Sequence, residues 1–349
     1  MADSFFDLDH YNSLAGRWEK ESSKKEAERD RQELHDLRCA LIKYLNRFFV
    51  VVKSRNPEIL ELEYDETGQS IVDFTRRHVR QHWSLYSKKF MQNQWFGCGS
   101  KREVDRLVFE VDPVKVSPRE FNMFLGLRIE RDFDVAGTKL DEDCIAPILE
   151  LLRDVWAEGN TYVYDYILNW MAYPLKVKRK TGVCLVVISD QGYGKGTIAH
   201  DLLGVHIYGE VLNDRQSGSY AQITDIEHIV GKFNTASCMR LLINADECSS
   251  FGGAYKQNNK LKSLITSTTR LMEAKGLDPV NISDFANFLM TTNNDEPGVA
   301  HSIDNKHFTQ PLTRRGLVTR DRDGDHRFLT LPPPQAVLKL LKEQGLFFV

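Results

Sequence analysis

The stretch Ser189-Asp190-Gln191-Gly192-Tyr193-Gly194-Lys195-Gly196-Thr197 decides the reading of this chain. It follows the apolar run Val183-Cys184-Leu185-Val186-Val187-Ile188 and precedes the helix-forming Ile198-Ala199-His200-Asp201-Leu202-Leu203. A buried strand, a glycine-rich curl and a helix start, in that order, build a phosphate cradle. The glycines let backbone N–H groups turn inward, and the helix adds its free N-terminal donors and positive dipole end. Gln191, Gly192, Tyr193, Gly194, Lys195, Gly196 and Thr197 are therefore the expected phosphate-binding residues. Lys195 supplies a point charge for the β- and γ-phosphates, and Thr197 an oxygen ligand for Mg²⁺. The usual pattern is Gly, four residues, then Gly-Lys-Ser/Thr. Here Ser189 stands where the first glycine is usual, and Gly196 displaces the hydroxyl by one place. The loop implies a nucleoside triphosphate, with ATP and Mg²⁺ as the expected ligands. By itself it fits a small nucleotide kinase as well as a motor.

Later segments carry matching parts. Met239-Arg240-Leu241-Leu242-Ile243-Asn244-Ala245-Asp246-Glu247 is an apolar strand ending in two carboxylates, a Walker B arrangement. Asp246 is expected to hold Mg²⁺ and Glu247 to orient and deprotonate an attacking water. A kinase has less need of Glu247, because its nucleophile is a bound hydroxyl. A third strand, Phe285-Ala286-Asn287-Phe288-Leu289-Met290-Thr291-Thr292, ends in Asn293-Asn294. Asn293 is the candidate sensor of the γ-phosphate and lytic water, with Asn294 the alternative. Arg314 or Arg315 would reach a neighbouring subunit's γ-phosphate and stabilise charge in the transition state.

Composition narrows the class without naming a function. The 349 residues suggest two domains, or one large domain with an appendage. A net charge of −3 gives no global signature for nucleic acid, so any such binding needs a local patch. The six cysteines are scattered without a CxxC pair, Cys184 and Cys238 reading as buried thiols in apolar runs and a reducing compartment being implied. No apolar stretch approaches membrane-spanning length and no signal-peptide pattern is present, so a soluble, cytoplasmic protein is expected.

Residues 1–140 read as an N-terminal charged helix plus a small α+β domain, and 141–330 as the ATPase domain with a helical lead-in over 141–180. Residues 331–349 read as a C-terminal helix or tail. Within the first domain one long helix is expected from about Asn12 to Leu45, then short strands over Phe48–Lys53 and Ile59–Tyr64. Phe74–Lys89 is basic with interleaved Trp83 and Tyr86, which fits either a nucleic-acid-facing helix or a basic surface. Leu107–Val111 is strand-like. In the lead-in, Cys144–Trp156 and Thr161–Tyr173 read as amphipathic helices, and basic Lys176-Val177-Lys178-Arg179-Lys180 separates them from the loop strand.

With these residues in order, the chain resembles the superfamily 3 helicases, in particular the helicase modules of phage, plasmid and large-virus primase-helicase proteins. The match rests on Gln191–Thr197, Ala245-Asp246-Glu247, Thr291-Thr292-Asn293-Asn294 and Arg314-Arg315. Between the second and third, Lys260-Leu261-Lys262-Ser263-Leu264-Ile265-Thr266 followed by Glu273-Ala274-Lys275-Gly276 is similar to the family's extra motif, which forms a DNA-contacting hairpin. The resemblance spans roughly 150–320 and is weaker over about 38–130. It implies a P-loop NTPase of AAA+-like α/β fold, a parallel sheet with helices on both faces. It implies ATP hydrolysis coupled to translocation on single-stranded DNA, a homo-oligomeric ring (a hexamer), and DNA contacts from Lys262 and Lys275. A primase or polymerase of the same element is an implied partner. No primase carboxylate pattern is recognisable upstream: Asp7 and Asp9 sit in no strand pattern, so the helicase part alone or a primase-less relative is expected. A nucleotide kinase and a non-hydrolysing, nucleic-acid-binding ring scaffold are the rival readings.

Overall fold

The structure, a computed structural model, describes residues 5–53, 57–79, 82, 90–132, 142–210, 218–247, 255–273, 279–293, 319–323 and 326–330. The chain divides into two compact units between Leu125 and Gly126.

In the first unit, the expected single long helix is two: α1, Leu8–Ser22, and α2, Arg31–Phe48. The break has a chemical cause. Asp30 caps α2 by accepting hydrogen bonds from Gln32 N and Glu33 N, as Asp7 caps α1 through Asp9 N and His10 N. Buried Glu21 accepts from Asp30 N at 2.8 Å and pairs with Lys24 at 2.5 Å, which closes the turn. Charged residues that would suit a solvated helix face thus serve as caps, and Asp7 is one of them.

α2 runs straight into β1, Phe49–Val52, all four residues buried. β2, Glu58–Tyr64, and β3, Ile71–His78, follow as antiparallel neighbours, and β4, Glu103–Val104, lies parallel to β1 in the sheet order β3-β2-β1-β4. β5, Arg106–Val108, pairs in parallel with β6, Glu120–Asn122. Tyr11, Leu41, Leu45, Phe49 and Trp95 are central to the core. The front of the basic stretch is therefore strand rather than helix. On β3, Arg76 pairs with Glu58 and Arg77 with Glu61, each at 2.7 Å. Their charge is matched on the neighbouring strand, so they do not form an open cationic face. Arg80, Trp83, Tyr86, Lys88 and Lys89 lie outside the described residues; His82 is fully buried.

The second unit is α/β. Helix Glu142–Glu150 continues as Leu151–Trp156, and Asn160 caps the helix Thr161–Val177, which ends at left-handed Lys178. β7, Cys184–Ile188, leads through the glycine-rich loop to the helix Thr197–Tyr208. β8, Tyr220–Ile223, and β9, Leu242–Asp246, follow. After the helix Tyr255–Thr266, β10, Thr269–Met272, and β11, Val280–Ser283, form an antiparallel pair. β12, Asn287–Thr292, then inserts between β7 and β9, giving a four-stranded parallel sheet in the order β7-β12-β9-β8. β13, Thr319–Asp323, and β14, His326–Thr330, pair with each other.

Parallel strands covered on both faces are rich in apolar residues; β12 carries Phe288-Leu289-Met290, and β9 carries Leu242, Ile243 and Ala245 around one buried polar residue, Asn244. Ile243, Phe288 and Met290 pack with Ile226, Ile229 and Val230, and with Leu261 and Ile265 of the Tyr255–Thr266 helix. Beyond the strand starts, Asn287 accepts from Thr181 N at 2.7 Å and donates to Leu241 O at 3.2 Å. Lys180, from the run read as a basic separator, is buried there against Asp284 at 2.8 Å. Among the described residues no helix is long and apolar enough to cross a membrane.

Candidate functional site

The C-terminal edge of the parallel sheet gathers the expected residues. Thr292 at the end of β12 lies opposite Ile188 at the end of β7, and Thr291 lies opposite Asp246 of β9. Segments leaving these three strands therefore converge through backbone register alone. Ser189 N donates to Thr292 O at 3.3 Å, which carries the pairing one residue into the loop. Gly192 and Gly194 then take φ of 93° and 75°, a region that costs an L side chain about 1–2 kcal/mol. At Gly194 space is limiting too, because a Cβ would come 2.7 Å from Leu151 Cδ2. The helix Leu151–Trp156 thus leans on the loop, a contact that no motif announces. Gln191, Gly192, Tyr193, Gly196 and Thr197 are exposed around it.

Lys195 is buried, 8% exposed. Its ammonium donates to Ser189 O at 2.5 Å, Asn293 Oδ1 at 2.7 Å and Asp190 O at 2.9 Å, with Ser189 Oγ also at 2.9 Å. Four acceptors share an ammonium that has only three protons. Ser189, standing where a glycine is usual, supplies two of them. The lysine is thus folded back onto its own loop and onto Asn293.

Asp246 is held from both sides, by Thr291 Oγ1 on Oδ1 and Gln222 Nε2 on Oδ2, each at 2.6 Å. A carboxylate has about four lone-pair positions, so two remain for a hydrated cation. Thr197, exposed at the first turn of its helix, is a second hard oxygen donor. One carboxylate and one hydroxyl suit Mg²⁺, which keeps several waters and takes further ligands from phosphates. Among the described residues no group of three or more His, Cys, Asp or Glu could hold a metal alone.

Glu247 turns out of β9 with φ of 48°, its N–H donating to Thr291 O at 2.9 Å. That bond fixes the turn and leaves the side chain exposed. Asn293 N approaches Glu247 Oε2 at 3.4 Å. Asn293 therefore spans the site, its side chain on the lysine and its backbone toward the carboxylate. Thr291 and Gln222 are the partners that sequence reading missed. Thr291 stands in the quoted Thr-Thr-Asn-Asn run, whereas Gln222, one polar residue on an edge strand, gives no signal.

Asn294, Lys275, Arg314 and Arg315 lie outside the described residues. Lys275 falls in sequence between β10 and β11, whose pairing sets Met272 opposite Val280. Lys262 is half-buried on its helix beside core-facing Leu261, and its side chain joins none of the contacts above. Burial pushes the Cys238 thiol up to about 11 and the Cys184 thiol higher still. Neither thiol is a nucleophile near neutral pH.

Residues 187–315 match a family model described as a family of unknown function, DUF5906. A curated relative, a DNA primase-polymerase of Nitratiruptor phage NrS-1, is 27% identical over 145 residues, covering 40% of this chain and 19% of the relative. An apo structure of the NrS-1 C-terminal region superposes with a TM-score of 0.52 at 17% identity, covering 86% of this chain and 64% of that one. The A-form apo structure of the same region gives a TM-score of 0.49 at 19% identity, covering 70% and 53%. The chain thus spans less than two thirds of each of these proteins, and the likeness to the first structure is one of fold.

Proposed function

We propose that this chain is an ATP-dependent DNA helicase motor of the ring-forming superfamily 3 type, built on a P-loop NTPase domain over 141–330. In this reading it couples ATP hydrolysis to translocation on single-stranded DNA during replication of a phage, virus or mobile element. The observation that carries it is the Lys195–Asn293–Glu247 linkage beside Asp246, formed by groups from three adjacent parallel strand ends. The similarity to a phage DNA primase-polymerase supports the replication setting.

The γ-phosphate offers Lys195 a doubly charged acceptor in place of Ser189 O and Asn293 Oδ1, so nucleotide entry draws the ammonium off the sensor. Asn293 is then free to orient water, and Glu247 takes the proton as the water attacks. Thr197 and Asp246 would hold a Mg²⁺, which would supply positive charge beside the phosphate oxygens. Arg314 or Arg315 comes from the next subunit of a hexamer, the closed symmetry that an arginine in trans requires. Lys262 and Lys275 contact the strand, and residues 1–140 serve as a collar or a DNA-loading surface. A kinase would have no water to activate, so Glu247 favours hydrolysis over the kinase reading.

ATP turnover with and without single-stranded DNA tests this. Stimulation by DNA is expected, with Lys195→Ala abolishing turnover and Lys275→Ala keeping basal turnover but losing stimulation. Turnover indifferent to DNA removes the helicase, and phosphorylation of a nucleoside monophosphate replaces it with a kinase.

A further inference from the structure

The first unit carries an open groove of about 510 Å³ whose lining includes Arg38, Cys39, Lys43, Asn46, Arg47 and Ser100. Positions 39, 43, 46 and 47 share one face of α2 by helical spacing. The opposite wall is pinned by Asn46, which donates to Ser100 O at 2.8 Å and accepts from Arg102 N at 2.8 Å and Trp95 Nε1 at 2.9 Å. The groove is therefore a built feature, held open by a side chain with all its polar bonds on the wall.

Its charge sets it apart. Among the described residues that line it, three are cations and none is a carboxylate. Elsewhere in the unit Arg17, Arg76, Arg77, Arg106 and Arg119 each pair with an acidic side chain. Arg38 and Lys43 have no carboxylate partner among the described residues, the polar contact of Arg38 being Cys98 Sγ at 3.9 Å. Arg47 is held in place by the rings of Phe48 and Tyr64, 5.3 and 5.4 Å from its guanidinium carbon. The Cys98 thiol beside the groove is lowered first by hydrogen bonds from Ser100 and further by the charges of Arg38 and Lys101. Among the described residues no aromatic ring lines the groove for a base to stack on, so these side chains suit a phosphate backbone rather than bases. From Arg38 to Lys43 the helix advances about 7.5 Å, so these two cations would meet separate phosphates of a strand.

We propose that this groove binds successive phosphates along a nucleic-acid strand, giving the first unit its own strand-holding surface. It extends the DNA-translocating reading to a second surface without depending on hydrolysis. The test uses the full chain without nucleotide, with a fluorescent oligothymidylate titrated at several salt concentrations. Arg38→Glu with Lys43→Glu should weaken binding about tenfold or more and reduce the salt slope by about 1.4, two contacts at about 0.7 each. Arg38→Gln with Lys43→Gln serves if the charge-reversed pair fails to fold. Alkylation of Cys39, read by peptide mass spectrometry, should be slowed by the oligonucleotide and not by inorganic phosphate. Unchanged affinity and slope in the variant that folds overturn the proposal, as does equal protection of Cys39 by inorganic phosphate. Groove-dependent binding that leaves ATP turnover unstimulated would instead remove the helicase reading and keep this one.

Discussion

Asn293, leaving β12, accepts a hydrogen bond at 2.7 Å from Lys195, which sits 98 residues earlier in the chain at the base of the phosphate loop. The residue expected to sense the γ-phosphate is thus in contact with the residue expected to bind it. The ammonium has three protons for the four acceptors already around it, so a further acceptor would have to displace one of them. Under the proposed function, loss of the Lys195–Asn293 bond would be the signal of nucleotide binding.

Two substitutions separate its roles. Asn293→Ala removes the acceptor and the water-orienting amide, so kcat should fall about 10²–10³-fold, the usual cost of one positioned polar group. KM should change little, because Lys195 keeps Ser189 and Asp190 as resting partners. Asn293→Asp puts a carboxylate against the ammonium, and the ion pair competes with phosphate, so the Kd for ATP should rise. Steady-state kinetics and nucleotide titration read both. Wild-type turnover in Asn293→Ala would falsify the sensor role.

Gly194→Ala should damage the loop for two reasons that can be divided. Its φ of 75° disfavours any side chain, and its Cβ would meet Leu151 Cδ2 at 2.7 Å. The backbone part costs about 1–2 kcal/mol whatever the neighbour. Leu151→Ala added to Gly194→Ala should recover the steric part and leave that remainder, measurable as a partial return of thermal stability and nucleotide affinity. Full recovery would mean that the backbone strain counts for nothing; no recovery would mean that Leu151 is not what crowds the site.

How much of this was readable beforehand follows from what kind of interaction each residue makes. β7, β9 and β12 were legible because each is a short, mostly apolar segment followed by polar residues, and those polar ends mark one edge of the sheet. Thr291 and Gln222 acquire their role from parallel register, which places them beside Asp246 across gaps of 45 and 24 residues. Local pattern carries no trace of that. The two-helix start was missed because its break uses Asp30 and Glu21, residues that look like any solvated charge. β3 was obscured because the charges on Arg76 and Arg77 are matched by Glu58 and Glu61 on the next strand.

Lys180 makes the same point energetically. It read as one of several surface cations, yet it is buried with Asp284 at 2.8 Å, donates to Leu264 O at 2.5 Å, and has its pKa lowered by burial against the opposing pull of Asp284. Removing one partner of a buried pair strands the other, at about 3–5 kcal/mol, whereas replacing both by apolar groups is often neutral. Asp284→Ala should therefore lower the urea midpoint of the second unit sharply, while Lys180→Met with Asp284→Leu should restore most of it. Mild loss in the single variant would place the pair in contact with water.

His82 supplies the acid sensitivity of the first unit. It is fully buried, its ring edge-on to Phe49 at 4.9 Å and its Nε2 3.3 Å from Met91 Sδ. Burial, with a smaller push from the Arg77 charge, lowers its pKa from 6.5 to about 3. Above about pH 6.5 the imidazole is neutral both folded and unfolded, so its contribution to stability is complete there. Below that value the unfolded chain takes up a proton that the folded chain refuses. Stability then falls by about 1.4 kcal/mol per pH unit, until the folded form also titrates. Between pH 7 and pH 5 the loss is about 2 kcal/mol. His82→Phe keeps an aromatic ring against Phe49 and removes the proton site, so the pH 7 to pH 5 drop should shrink by that amount relative to wild type. Urea unfolding of both proteins at the two pH values measures it. An unchanged drop would mean that the folded chain protonates His82 as readily as the unfolded one.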